Sequence, residues 1–177
     1  MGNEWDIVEV LRHSRHDWLN KLQLIKGNLD LNRIDRVKQV IDEIVNEAQH
    51  EAKLSNLHIP LFAALLLKSN WENPSFKLEY EVLLEPDASN INDMAVTNWT
   101  NTFFGSLKQA IEPYHENNLS ITIEPQTNGV RFFFDFSGII RNRELIEGFL
   151  SDKTVEVSVI EFTETELSLE LFMPIEK

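Results

Sequence analysis

At Pro60 the hydrophobic pattern of this chain changes, and the change divides it. Before Pro60, apolar residues return at helical intervals. Ile7, Leu11, Trp18, Leu22, Ile25 and Leu29 form one stripe, as expected of a helix with one buried face. Ile34, Val37, Ile41, Ile44, Ala48 and Ser55 continue a second seam, which Val40 and Val45 widen. Between the two, "GNLDLNRID" supplies the Gly, Asn and Asp of a helix stop and a new N-cap. Residues 1–56 therefore predict an antiparallel helical hairpin. Two helices bury both stripes poorly by themselves, so a second copy is expected to complete a four-helix bundle, making a homodimer. The alternative is a hairpin that packs on the rest of its own chain.

After Pro60, "LFAALLLKSNW" reads as a short buried helix and "FKLEYEVLLEP" (76–86) as a strand. Residues 91–117 read as a longer helix with apolar residues at Met94, Trp99, Phe103, Leu107 and Ile111, and Pro113 marking its last turn or a kink. "LSITIEP", "GVRFFFDFSG", a short helix near 141–150, and the pair "VEVSVIEFTE" and "ELSLELFMPI" follow. Residues 57–177 thus predict about five strands with helices on one face, an α/β sandwich, and the whole chain is α+β.

Composition narrows the function. The chain has 177 residues and no Cys, so it has no disulfide framework and no thiolate metal site. No apolar run approaches the roughly 20 residues of a membrane span, and "MGNEWDIVEV" lacks the layout of a signal peptide. A cytoplasmic protein with no membrane partner is expected. The net charge of −13 argues against nucleic acid. Residues 1–59 hold 10 acids and 8 bases, and residues 60–177 hold 19 acids and 8 bases. Within this acidic chain, positions 12–26 are locally basic, with Arg12, Arg15, Lys21 and Lys26 against Asp17 alone. Such a patch suits an anionic substrate or an acidic partner surface.

The patch surrounds His16. At roughly 100° per residue, His16 lies about 160° from the apolar stripe. It shares its side of the helix with Glu9, Arg12, His13, Asn20, Gln23 and Gly27. An imidazole there projects from the wet face of a bundle. It is a competent nucleophile near neutral pH. Arg12, Arg15 and Lys21 are placed to steady the negative charge of a phosphoryl group, and Asp17 or Asn20 to hold the other ring nitrogen. His13 and Gln23 are candidate partner contacts. His13 and His16 also have helical spacing for zinc, but no Cys or placed carboxylate supplies a third ligand.

"SRHDWLNKLQLIKGNL" (14–29) closely resembles the phosphohistidine segment of the sporulation initiation phosphotransferases, the B component of the sporulation phosphorelay. A looser form occurs in citrate- and malate-type sensor kinases. "HEAKLSN" (50–56) and "LEYEVL" (78–83) also resemble the family, and the likeness weakens toward the C-terminus. The resemblance implies a dimeric four-helix bundle with a C-terminal domain like a degenerate histidine-kinase ATP-binding domain. It implies that His16, within Arg15-His16-Asp17, takes a phosphoryl group from a single-domain response regulator and passes it to the receiver domain of a transcription factor.

A kinase of the citrate type would also need ATP. "LKQAIEPY" (107–114) resembles the kinase metal-binding helix with Gln109 in place of Asn. "DFSGI" (135–139) resembles a worn Asp-x-Gly-x-Gly box in which Asp135 fits while Ser137 and Ile139 stand where glycines belong. The expectation is no ATP, no cofactor bound by this chain, and Mg²⁺ brought by the partner receiver domain. The competing readings are a degenerate sensor kinase that still autophosphorylates, and a non-catalytic module that sequesters a response regulator.

Overall fold

The computed structural model describes residues 6–72, 75–83, 90–152 and 154–176. The chain is α+β, in two compact units that divide between Glu51 and Ala52. In the first unit, α1 (Ile7–Asp30) begins where the Asp6 carboxylate accepts from the amides of Val8 and Glu9 at 2.8 and 2.9 Å. This satisfies two amides that a helix leaves unpaired at its start. The helix ends at the predicted turn. Asn32 adopts φ 54, the left-handed conformation that asparagine tolerates, and the amide of Arg33 donates to the Asn28 carbonyl. The chain then enters α2 (Ile34–Ser55). Lys21 Nζ and Glu47 Oε2, 2.6 Å apart, tie the two helices together. Among the described residues of this unit, only Asn28, Val37 and Val40 are buried.

The second unit takes the last turn of α2 and then α3 (Pro60–Ser69), β1 (Lys77–Val82), α4 (Asp93–Ala110), β2 (Asn118–Gln126), β3 (Gly129–Ser137), α5 (Arg143–Leu150), β4 (Glu156–Phe162) and β5 (Glu166–Pro174). The sheet order is β1-β2-β3-β5-β4. β1 and β2 are parallel, joined by the α4 crossover, and the other pairs are antiparallel. Strand alternation sends Phe132, Phe134 and Phe136 of β3 and Leu167, Leu169 and Leu171 of β5 to one face. The helices cover that face. Phe62 of α3 meets Phe132 edge-on, and Trp99 of α4 meets both Phe134 and Phe149 of α5. Phe62, Phe132 and Phe134 are fully buried, and each such ring contributes on the order of 1.5–3 kcal/mol.

Two details differ from expectation. The helix read over 91–117 stops at Ala110, and Ile111 is extended and bridged to Ile140. Pro113 disfavours helical backbone at Glu112, which clears the way for that bridge. Of the strand read over 76–86, β1 ends at Val82, and residues 84–86 lie outside the described residues, as do residues 1–5 of the hairpin. One capping device is long-range. Pro60 opens α3 without a side-chain cap from Ile59. The carboxylate of Asp93, in the first turn of α4, accepts from the amides of Leu61 and Phe62, each at 2.9 Å.

Candidate functional site

α1 is an uninterrupted helix of 24 residues, so the positions around His16 are held on a rigid rod. The His16 side chain is 73% exposed. Its Nδ1 lies 3.2 Å from Asn20 Nδ2, one turn on, and 3.8 Å from Asp17 Oδ1. His16 and Asn20 share a face because residues four apart on a helix are neighbours. The amide serves either form of the ring. Its nitrogen donates to a bare Nδ1, and turned over, its oxygen accepts from Nδ1–H and leaves the lone pair on Nε2. Nε2 has no hydrogen-bond partner among the described residues.

Arg12 and Arg15 are exposed beside His16, and neither forms an ion pair with a carboxylate among the described residues. Gln23, two turns along, is also exposed, whereas His13 is partly covered. Lys21 is placed differently. Five residues from His16, it turns about 140° away around the helix, pairs with Glu47 and lies 5.7 Å from the centre of the Trp18 ring. The structure places Asn20 and Asp17 at the imidazole, leaves Arg12 exposed one turn before it and Arg15 exposed at the preceding position, and directs Lys21 to α2. Trp18 and Leu22, on the opposite stripe, are 52% and 54% exposed. Among the described residues, no three His, Asp or Glu side chains gather as a metal-binding group, and no helix is long and apolar enough to cross a membrane.

In the second unit, the residues that resembled a nucleotide site do not converge. Gln109 is exposed in the last turn of α4. Asp135 alternates with Phe134 and Phe136, so it projects from the sheet face that the helices leave open, beside Glu79, Ser120 and Glu166. The segment after β3 is closed by its own hydrogen bonds. The amides of Gly138 and Ile140 donate to the carbonyls of Thr165 and Glu164. The amide of Ile139 donates to Asn117 Oδ1, and those of Arg141 and Asn142 to the Ala110 carbonyl. Five successive N–H groups are thus engaged. Gly138 is there for packing: a Cβ at that position would run into Asn117 Oδ1 and lie 2.6 Å from Phe136 Cζ. Asn117 is buried, and its amide nitrogen also donates to the carbonyls of Ser75 and Glu112.

Sequence reasoning missed Asn117 and Asp93, whose partners lie far away in the chain. It also missed a groove between α4 and α5.

Comparison with known proteins places both units. The helical-domain model described as "Sensor kinase SpoOB-type, alpha-helical domain" matches residues 1–57. The model described as "Sporulation initiation phospho-transferase B, C-terminal" matches residues 58–174. The chain is 35% identical over 159 residues to the sporulation initiation phosphotransferase B of Bacillus subtilis (strain 168), which covers 89% of this chain and 83% of that protein. Among solved structures it is similar to the catalytic domain of histidine kinase ThkA, at 12% identity, 69% of this chain, 92% of that chain and a TM-score of 0.46. It is also similar to the Acinetobacter baumannii histidine kinase AdeS, at 8% identity, 92% of this chain, 98% of that chain and a TM-score of 0.43.

Proposed function

Since the chain belongs to the sporulation initiation phosphotransferase B family and is a phosphotransferase of the sporulation phosphorelay, we propose that His16 is the residue that carries the phosphoryl group. The observation that carries this reading is the exposed imidazole, met at Nδ1 by Asn20 and without a partner at Nε2 among the described residues, on a helix that also exposes Arg12 and Arg15.

The chemistry follows from that arrangement. With the proton on Nδ1, held by the Asn20 or Asp17 oxygen, the Nε2 lone pair attacks the phosphorus of an aspartyl phosphate on a docked response regulator. The P–N bond forms as the acyl P–O bond breaks, and the aspartate leaves as carboxylate. Arg12 and Arg15 offset the charge that spreads over the equatorial oxygens. The reverse step, on an aspartate of a second receiver domain, returns the ring to its starting state. The donor is read as a single-domain regulator, the acceptor as the receiver of a transcription factor, and the setting as the cytoplasm. Mg²⁺ is assigned to the receiver's aspartate pocket, because Asp17 is the one carboxylate at the ring among the described residues and no group of three His, Asp or Glu gathers there.

Two further parts complete the proposal. The chain is a homodimer through its hairpins, supported by the exposed Leu11, Trp18, Leu22 and Leu29 stripe on the far side of α1 from His16. Joining two such stripes buries them and leaves both histidines outside. The second unit takes no ATP, supported by the engaged amides of residues 138–142 and by Asp135 facing away from the helices.

The test is to incubate the chain with a phosphorylated receiver domain and map acid-labile phosphate. Label on His16, and none on the His16→Gln variant, is the expected result. Transfer that survives in His16→Gln sinks the assignment, and label acquired from ATP without a partner supports the kinase reading instead.

A further inference from the structure

The helices of the second unit cover one face of the sheet, and strand alternation makes the other face acidic. Every strand sends a carboxylate to it: Glu79 from β1, Glu124 from β2, Asp135 from β3, Glu170 from β5 and Glu161 from β4. Lys77 and Arg131 are the only basic residues in the five strands. Both are already paired, with Glu79 at 2.6 Å and Glu170 at 3.2 Å. Glu81, Glu124, Asp135 and Glu161 form no ion pair among the described residues.

Two aromatic rings stand among these carboxylates. Phe133 of β3 and Phe172 of β5 alternate with the buried residues of their strands, so they project to the open face. Each is partly exposed, and neither belongs to the hydrophobic core. The Phe172 ring leans over β3, where a Cβ at Gly129 would come within 2.7 Å of its Cζ. An apolar centre inside a polar rim is the usual anatomy of a protein interface.

We propose that this face docks an arginine-bearing segment of a partner protein. A guanidinium group pairs in two-pronged fashion with a carboxylate and also stacks on an aromatic face, and the sheet offers both kinds of group together. A lysine matches only the charge. The same carboxylates repel nucleic acid and anionic membranes. Strands six to nine residues long, spaced about 4.8 Å apart, make a face of roughly 500 Å². That is less than the roughly 800 Å² per partner of a stable complex. A second copy, which itself carries a net charge of −13, is a poor occupant. The contact is a transient one with a basic partner, and it is independent of the reading of His16.

Titration of the full chain with a short peptide of alternating arginine and serine, followed by amide NMR, tests this. Saturable shifts are expected on β2, β3 and β5. The lysine counterpart, equal in charge, should bind about threefold more weakly. Glu81→Gln combined with Asp135→Asn should weaken both peptides about fivefold. Phe133→Thr combined with Phe172→Thr keeps every charge and removes no core residue, and it should abolish the preference for arginine. The proposal is overturned by the absence of saturable shifts, by shifts centred on α3, α4 or α5, or by equal affinity for the two peptides. Unchanged binding to the carboxylate variant, or an arginine preference that survives in the folded phenylalanine variant, overturns it as well.

Discussion

The side-chain amide of Asn20 lies 3.2 Å from Nδ1 of His16, one turn along the same helix. This contact engages Nδ1 and leaves Nε2 without a hydrogen-bond partner among the described residues. Asn20→Ala is expected to slow phosphoryl transfer about a hundredfold, the lower end of what a positioned proton-handling group contributes. Asn20→Asp, which accepts from Nδ1–H, should recover most of the rate. Rapid-quench measurement of transfer from a phosphorylated receiver checks both, and equal rates for Ala and Asp at this position would remove Asn20 from the mechanism.

Arg12 and Arg15 are exposed and free of carboxylate partners among the described residues. Reversing either to Glu should weaken receiver binding about tenfold, which is about 1.4 kcal/mol, and should flatten the fall of affinity with salt. Lys21→Ala, by contrast, should act on the hairpin, because its ammonium is paired with Glu47. Titrations at two ionic strengths separate these effects.

Trp18 and Leu22 are half-exposed on the stripe opposite His16. Replacing both with Glu should convert a dimer into monomers, since two charges per chain would otherwise be buried in a bundle seam. Light scattering coupled to size exclusion reads the outcome directly. A parent chain that runs as a monomer at micromolar concentration contradicts the bundle.

Gly138→Ala should destabilise the second unit by about 1–3 kcal/mol, the usual cost of forcing an extra carbon into a packed site. The loss follows from the collision with Asn117 and Phe136 rather than from any ligand. Urea unfolding followed by Trp fluorescence measures it, and an unchanged midpoint would show that Asn117 gives way freely.

Asp93→Ala removes a cap from a helix to which Asp93 does not belong. A loss of about 1–2 kcal/mol is expected, typical of an N-cap. Asp93→Asn should lose less, because an amide oxygen still accepts one of the two bonds to Leu61 and Phe62. Thermal unfolding of the three proteins ranks them.

Most elements were legible because their signals are local. The stripes of α1 and α2, the turn at Asn32 and the alternation of β2, β3 and β5 follow from residue spacing alone. The exposure of His16 was legible for the same reason. What escaped depends on contacts between distant positions. The end of α4 at Ala110 is set by a bridge to Ile140. Lys21 looked like part of the cationic patch, and only its distance to Glu47 assigns it to the hairpin. Asp135 was the one residue that fitted a worn motif, yet strand alternation turns it to the open face of the sheet, because Phe134 and Phe136 on either side take the buried positions.

The closed segment from Gly138 to Asn142 also bears on what a change of letters could do to this domain. Placing an asparagine at 109 and glycines at 137 and 139 would write a kinase-like motif into the sequence. The five amides of residues 138–142 would still be spoken for by the Thr165, Glu164 and Ala110 carbonyls and the Asn117 side chain. The motif would be present in the sequence while the backbone donors it relies on stayed occupied.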